Sequence, residues 1–122
     1  MREYKFRVWD GKTMVGVGSI EFFTDDSIHV NEELLNPDLM QYTGLKDKNG
    51  VEIYEYDLVK FVSGGKEHIK IVVWCKVRCC FVTSNSKNNV SACTSLYASR
   101  IYKHNLEVIG NIYQNPELPK QP

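Results

Sequence analysis

The chain lacks the features that would name a chemistry. It has no Cys-x-x-Cys pair, although four cysteines, Cys75, Cys79, Cys80 and Cys93, lie among its 122 residues. No stretch combines a basic start, an apolar run and a small-residue cleavage site, so neither a secretory signal nor a disulfide framework is expected. Apolar runs such as Ile69 to Val73 are far too short to cross a bilayer as a helix. There is no internal repeat, and no long segment carries the periodicity of an amphipathic helix. These absences point to a cytoplasmic protein with reduced thiols and no membrane partner. A chain of this length suits one domain or two small lobes, and it buries an ordinary core without staples.

Acid is missing from one long stretch. Between Lys60 and His104 the bases are Lys60, Lys66, Lys70, Lys76, Arg78, Lys87, Arg100 and Lys103, against the single acid Glu67. The formal net charge of the whole chain is nonetheless +0, so acids elsewhere balance that excess. Most of them lie before residue 60, including Asp25, Asp26, Glu32, Glu33, Asp38, Asp47, Glu52, Glu55 and Asp57. Such segregation either neutralises itself across the molecule or presents a basic surface to a partner.

What is present is mostly strand pattern. Tyr4 to Trp9 alternates, and Asp10-Gly11 supplies residues that tolerate a positive φ, which predicts a hairpin into Met14 to Ile20. Glu21 to Val30 is a further apolar segment with Asp25-Asp26-Ser27 as its turn. Asn31-Glu32-Glu33 predicts the start of one helical turn, because Asn31 can cap and the glutamates suit the positive end of the helix dipole, while Pro37 stops it. Met40 to Thr43 reads as extended, and Asn49-Gly50 predicts a tight turn with both residues at positive φ. Asp57 to Val62 is a strand, Gly64-Gly65 a hairpin turn, and Glu67 to Arg78 the longest strand. In that strand Ile69, Ile71, Val73, Cys75 and Val77 share one face, and Lys70, Val72, Trp74, Lys76 and Arg78 the other. A further strand starts at Cys79 or Cys80, Leu96 to Tyr102 fits no single pattern, Leu106 to Tyr113 is a last strand, and 114–122 is an extended tail. Short strands separated by turn signals predict an all-β barrel or sandwich over 1–113, with lobes at 1–50 and 51–113.

Three segments carry a resemblance. Met1-Arg2-Glu3-Tyr4-Lys5-Phe6-Arg7-Val8-Trp9-Asp10, the run from Leu39 to Asp57, and Glu107-Val108-Ile109-Gly110-Asn111-Ile112-Tyr113-Gln114-Asn115-Pro116-Glu117-Leu118 together resemble the YopX family of small bacteriophage and prophage proteins. The resemblance implies a non-enzymatic phage accessory protein, agrees with an SH3-like barrel in the C-terminal half, and assigns no reaction. One residue departs from the pattern: where the family has Ile-Tyr-Glu-Gly-Asp, this chain has Ile53-Tyr54-Glu55-Tyr56-Asp57. A glycine there permits a positive φ that strains a tyrosine, so either the turn differs here or the φ is not positive.

No set of residues meets the needs of catalysis. The cysteines with His68 and His104 are ligand types that zinc favours, yet on a continuous strand Cys75 and Cys79 stand about 13 Å apart at about 3.3 Å per residue, so only an intervening turn could unite them. They read instead as buried free thiols, and no metal or cofactor is expected. Gly64-Gly65-Lys66 lacks the spacing and hydroxyl of a phosphate-binding loop and reads as a hairpin turn. His29 is isolated. A cysteine nucleophile would need a histidine beside it in space, which the order of residues does not show.

The basic stretch is where binding is expected. Trp74 among Lys70, Lys76 and Arg78, with Lys66, Arg100 and Lys103 nearby in the sequence, is the pattern with which single-stranded nucleic acid is held: cations track phosphates and a ring stacks on a base. The same tryptophan also suits a barrel core packed with lysine stems. Tyr42, Tyr54, Tyr56, Tyr97, Tyr102 and Tyr113 offer a third expectation, contacts with a phage or host protein or a second copy of the chain.

Overall fold

The computed structural model describes residues 3–32, 34–35, 38–85, 94–95 and 106–117. Every regular element among them is a β-strand, as the alternating patterns predict. The chain divides into two compact units, Met1–Tyr42 and Thr43–Pro122.

In the first unit, β1 (Phe6–Trp9) pairs antiparallel with β2 (Met14–Gly16) and with the first half of β6 (Leu39–Lys46), placing Arg7 opposite both Gly16 and Met40. The predicted Asp10-Gly11 turn forms: the Asp10 carboxylate accepts the N–H groups of Lys12 and Thr13, each at 2.8 Å, and Gly11 takes φ 102°. A separate three-stranded sheet orders β3 (Ile20–Phe22), β4 (Ile28–Val30) and β5 (Leu34–Leu35). Val8, Val30 and Met40 are fully buried in this unit.

Among the described residues the helical turn expected at Asn31 does not form. Asn31 and Glu32 take φ 53° and 64°, outside the helical region, and β5 begins at Leu34. The Asn31 side chain faces backward, accepting the Gly18 N–H at 2.7 Å and donating to the Gly16 carbonyl at 3.0 Å. Those distant backbone partners compete successfully with the helix cap, which would have served only its own turn.

The second unit is a larger sheet. The second half of β6 neighbours β7 (Glu52–Tyr54), with the Thr43 hydroxyl donating to the Ile53 carbonyl at 2.7 Å. The five strands β8 (Asp57–Ser63), β9 (Lys66–Cys75), β10 (Cys80–Ser84), β11 (Thr94–Ser95) and β12 (Glu107–Asn111) lie in the order β11-β10-β9-β8-β12. The first four therefore form a meander, and the last returns beside the first. Gly64 and Gly65 both take positive φ, 62° and 76°, as the two-residue hairpin between paired Ser63 and Lys66 requires.

Both faces of this sheet are covered, which explains the continuous apolar run in its central strand. Leu58, Ile71, Val73, Cys75 and Val82 pack on one side, while Val59 and Val72 pack with Ile53 and Leu106 on the other. Burying Ile71, Val72 and Val73 in succession needs cover on two faces, because adjacent strand residues point oppositely.

Three expectations are corrected here. The longest strand ends at Cys75, three residues short of Arg78, and residues 76–79 form a turn in which Cys79 takes φ 52°. The last strand ends at Asn111, whose side-chain oxygen accepts the N–H groups of Tyr113 and Gln114 and so closes a turn. At Asn49-Gly50 only the glycine has a positive φ, 81°. Gly50 N–H bonds to the Asp47 carbonyl at 3.0 Å and Asp47 N–H to the Val51 carbonyl at 2.8 Å, so the loop has three residues instead of two.

One alternative for Tyr56 is overturned: its φ is positive, 67°, in the region that glycine favours. The left-handed region costs an L-residue about 1 kcal/mol or more. Tyr56 is held there by its N–H bond to the Val72 carbonyl at 2.7 Å, by the Ile112 N–H on its own carbonyl at 3.1 Å, and by its ring against Tyr113 at 6.2 Å.

Candidate functional site

Most polar groups in the family-like segments are engaged in building the fold. Asp47 is 7% exposed, and one carboxylate oxygen accepts the N–H groups of Asn49 and Val51 at 2.8 and 2.9 Å. Its other oxygen accepts the Val108 N–H at 2.9 Å, fastening the turn to β12. The Lys48 N–H adds a bond to the Leu106 carbonyl at 3.0 Å, and its ammonium lies 3.5 Å from Glu107. Asp57, 2% exposed, accepts the Tyr54 N–H at 2.8 Å. These buried carboxylates are acceptors for backbone N–H groups.

Candidate catalytic and metal residues are likewise dispersed. His68 stacks on Phe61 with ring centroids 5.4 Å apart. Cys75 is buried opposite half-buried Cys80, and exposed Cys79 directs its thiol to the Lys76 carbonyl at 3.5 Å. The turn that could have gathered Cys75 and Cys79 therefore exists. Even so, among the described residues no three or more His, Cys, Asp and Glu side chains are grouped to hold a metal ion. Cys93 and His104 lie outside the described residues.

The basic stretch is rearranged by the early end of β9. Lys66 begins that strand and Trp74 nearly ends it, eight residues on, about 26 Å away at strand spacing. Between them Lys70 is half-buried and donates to the Asn85 side-chain oxygen, and Val72 on the same face is fully buried. The expected stripe is thus interrupted by core. Arg100 and Lys103 lie outside the described residues.

What remains together is the end of the β9–β10 hairpin. Trp74 is 46% exposed and meets Phe81, its partner in register, edge to face at 5.0 Å. Lys76, Val77 and Arg78 follow in the turn, all exposed, with Val77 at 91%. Val72, two residues earlier on this face, is fully buried, and Phe81 packs against the same core cluster, while the Trp74 ring beside it stays partly open to solvent. Phe81 was not named by the sequence reading. Its place beside Trp74 depends on a four-residue turn at 76–79, and a strand drawn through Arg78 hides it.

A second exposed aromatic pair belongs to the first unit, where Tyr4 is exposed as well. Phe22 is 75% and Phe23 41% exposed at the end of the β3–β4 hairpin, where Phe23 packs edge-on against His29 at 4.7 Å. Asp25 and Asp26 lie in that hairpin's turn, so its charge is opposite to that of the β9–β10 turn. Bonds from the Ser27 hydroxyl and then the Ser27 N–H hold the Asp25 carboxyl below the usual carboxylate range. Bonds from the N–H groups of Thr13 and Lys12 do the same for Asp10.

Comparison with known proteins agrees with the fold and supplies no activity. The family model described as YopX protein matches residues 5–120. The crystal structure of protein EF1440 from Enterococcus faecalis is 26% identical, with a TM-score of 0.67 over 98% of this chain and 100% of that one. Protein yopX from Bacillus subtilis is 24% identical and shares the fold, with a TM-score of 0.64 over 97% of each chain. No curated protein matches.

Proposed function

The chain belongs to the YopX family, and from that premise we propose a non-enzymatic phage or prophage accessory protein whose work is binding through the end of the β9–β10 hairpin. The observation that carries this reading is the exposure of Trp74 and Val77 between cations, at the end of a sheet whose centre is buried on both faces. Tryptophan and arginine are the residues on which binding energy concentrates, and an exposed pair at a rigid hairpin is prepared for contact.

The strand order supports reading the second unit as an SH3-like barrel, since the last strand returns beside the first of a four-strand meander. Free thiols at Cys75, Cys79 and Cys80 support work in the bacterial cytoplasm. No helix among the described residues is long and apolar enough to cross a membrane.

A photo-reactive phenylalanine analogue in place of Val77, irradiated in host cells, tests the reading. An adduct that depends on Trp74 is expected. An adduct of twice the chain mass would identify a second copy as the partner, a reading that the oppositely charged Phe22 and Phe23 hairpin supports. Absence of any adduct would sink the binding function.

A further inference from the structure

We propose that the end of the β9–β10 hairpin binds single-stranded nucleic acid, with Trp74 stacked on a base and Lys76 and Arg78 on neighbouring phosphates. This rests on the binding function above and names its partner. Three independent features converge on it.

The first is charge. From His68 to Leu106 the sequence contains no aspartate or glutamate, while Lys70, Lys76, Arg78, Lys87, Arg100 and Lys103 all fall within it. From His68 through Ser84 the hairpin thus carries only basic formal charges, Glu67 near its open end being its one acid. A polyanion gains from each phosphate it places there, through Coulomb attraction and release of its counterions.

The second is the ring. Trp74 stays 46% exposed although Phe81 packs against it at 5.0 Å with an interplanar angle of 74°. That contact restrains the indole without covering it, so stacking a base on it costs little further side-chain freedom. Stacking tolerates any base, because every base has a π-face.

The third is shape. Val77, 91% exposed, sits at the summit of the turn between the two cations. A projecting turn encloses no concave site of the kind a small molecule needs. It can instead enter between the unstacked bases of a single strand. In a duplex the bases are already stacked and paired, so the indole has no face to meet without costly flipping.

The test uses the full chain and a fluorescein-labelled oligothymidine of about 15 nucleotides, within the range of known single-strand site sizes. Anisotropy is expected to show binding at about 50 mM salt that weakens about sevenfold by about 200 mM, as two phosphate contacts on a single strand require. Trp74→Ala is expected to weaken it about tenfold, and Trp74→Phe to retain most of it. Lys76→Glu combined with Arg78→Glu is expected to abolish it, with Lys76→Glu alone, at an exposed turn position, weakening it and leaving the circular dichroism spectrum unchanged. No binding at low salt, or binding indifferent to Trp74→Ala, overturns the proposal. If the oligonucleotide fails while the Val77 photo-adduct is a protein, the binding function stands and only its partner is wrong. If both fail, both readings fall.

Discussion

In the unit Met1–Tyr42, Asp10 and Asp25 each hold a turn through bonds that never leave it, reaching only two or three residues ahead. In Thr43–Pro122, Asp47 does the same for Asn49 and Val51 and then bonds Val108, 61 residues further on. The residue type and the local geometry are shared. The difference is burial, for Asp47 is 7% exposed whereas Asp10 and Asp25 lie in open solvent. An exposed aspartate shapes a loop; a buried one joins two distant strands and makes the loop part of the core.

The largest expected effect breaks that distinction directly. Asp47→Asn keeps an oxygen for the turn but sets an amide N–H against the Val108 N–H. Leaving a buried donor without its acceptor costs about 1–3 kcal/mol, read as a shift of the urea midpoint. A loss no greater than that of Asp25→Asn would show that burial does not separate the two.

A smaller effect is expected at Tyr56. Both Tyr56→Gly and Tyr56→Ala remove the ring that packs beside Tyr113, but only alanine retains a Cβ at φ 67°. The glycine variant should be the more stable of the two by about 1 kcal/mol. The reverse order would mean that the positive φ carries no strain.

The smallest effect is a response to acid at the two exposed turns of the first unit. The folded pKa values of Asp10 and Asp25 lie below the ordinary 3.8. The stability they contribute is therefore complete above that value and is lost as pH falls through each group's own lower value. Amide exchange at Lys12, Thr13 and Ser27 should quicken in that window, without global unfolding. Exchange at these amides that does not change with pH would show that the two carboxylates do not hold their turns.

Much of this was legible beforehand, for identifiable reasons. Alternation at Tyr4 to Trp9 and at Asp57 to Val62, and the glycine pair at 64–65, are local signals, and each became the expected strand or turn. Asn31 misled because its side chain had partners at Gly16 and Gly18, out of sight of a helix cap. The run Trp74 to Arg78 misled because alternation continues through a turn when apolar and basic residues happen to keep step. Only the pairing of Cys75 with Cys80 reveals where the strand stops.

The sequence by itself determined the all-β class, the family and the segregation of charge, because periodicity, motif order and counts of residues need no partner in space. Tertiary structure decided that Asp47 ties its turn to β12, that Tyr56 occupies a glycine conformation, and that Trp74 stands exposed beside Phe81. Each depends on strand register or on bonds between residues far apart in the chain. Such contacts are chosen by the free energy of the whole sheet, and no local pattern encodes them.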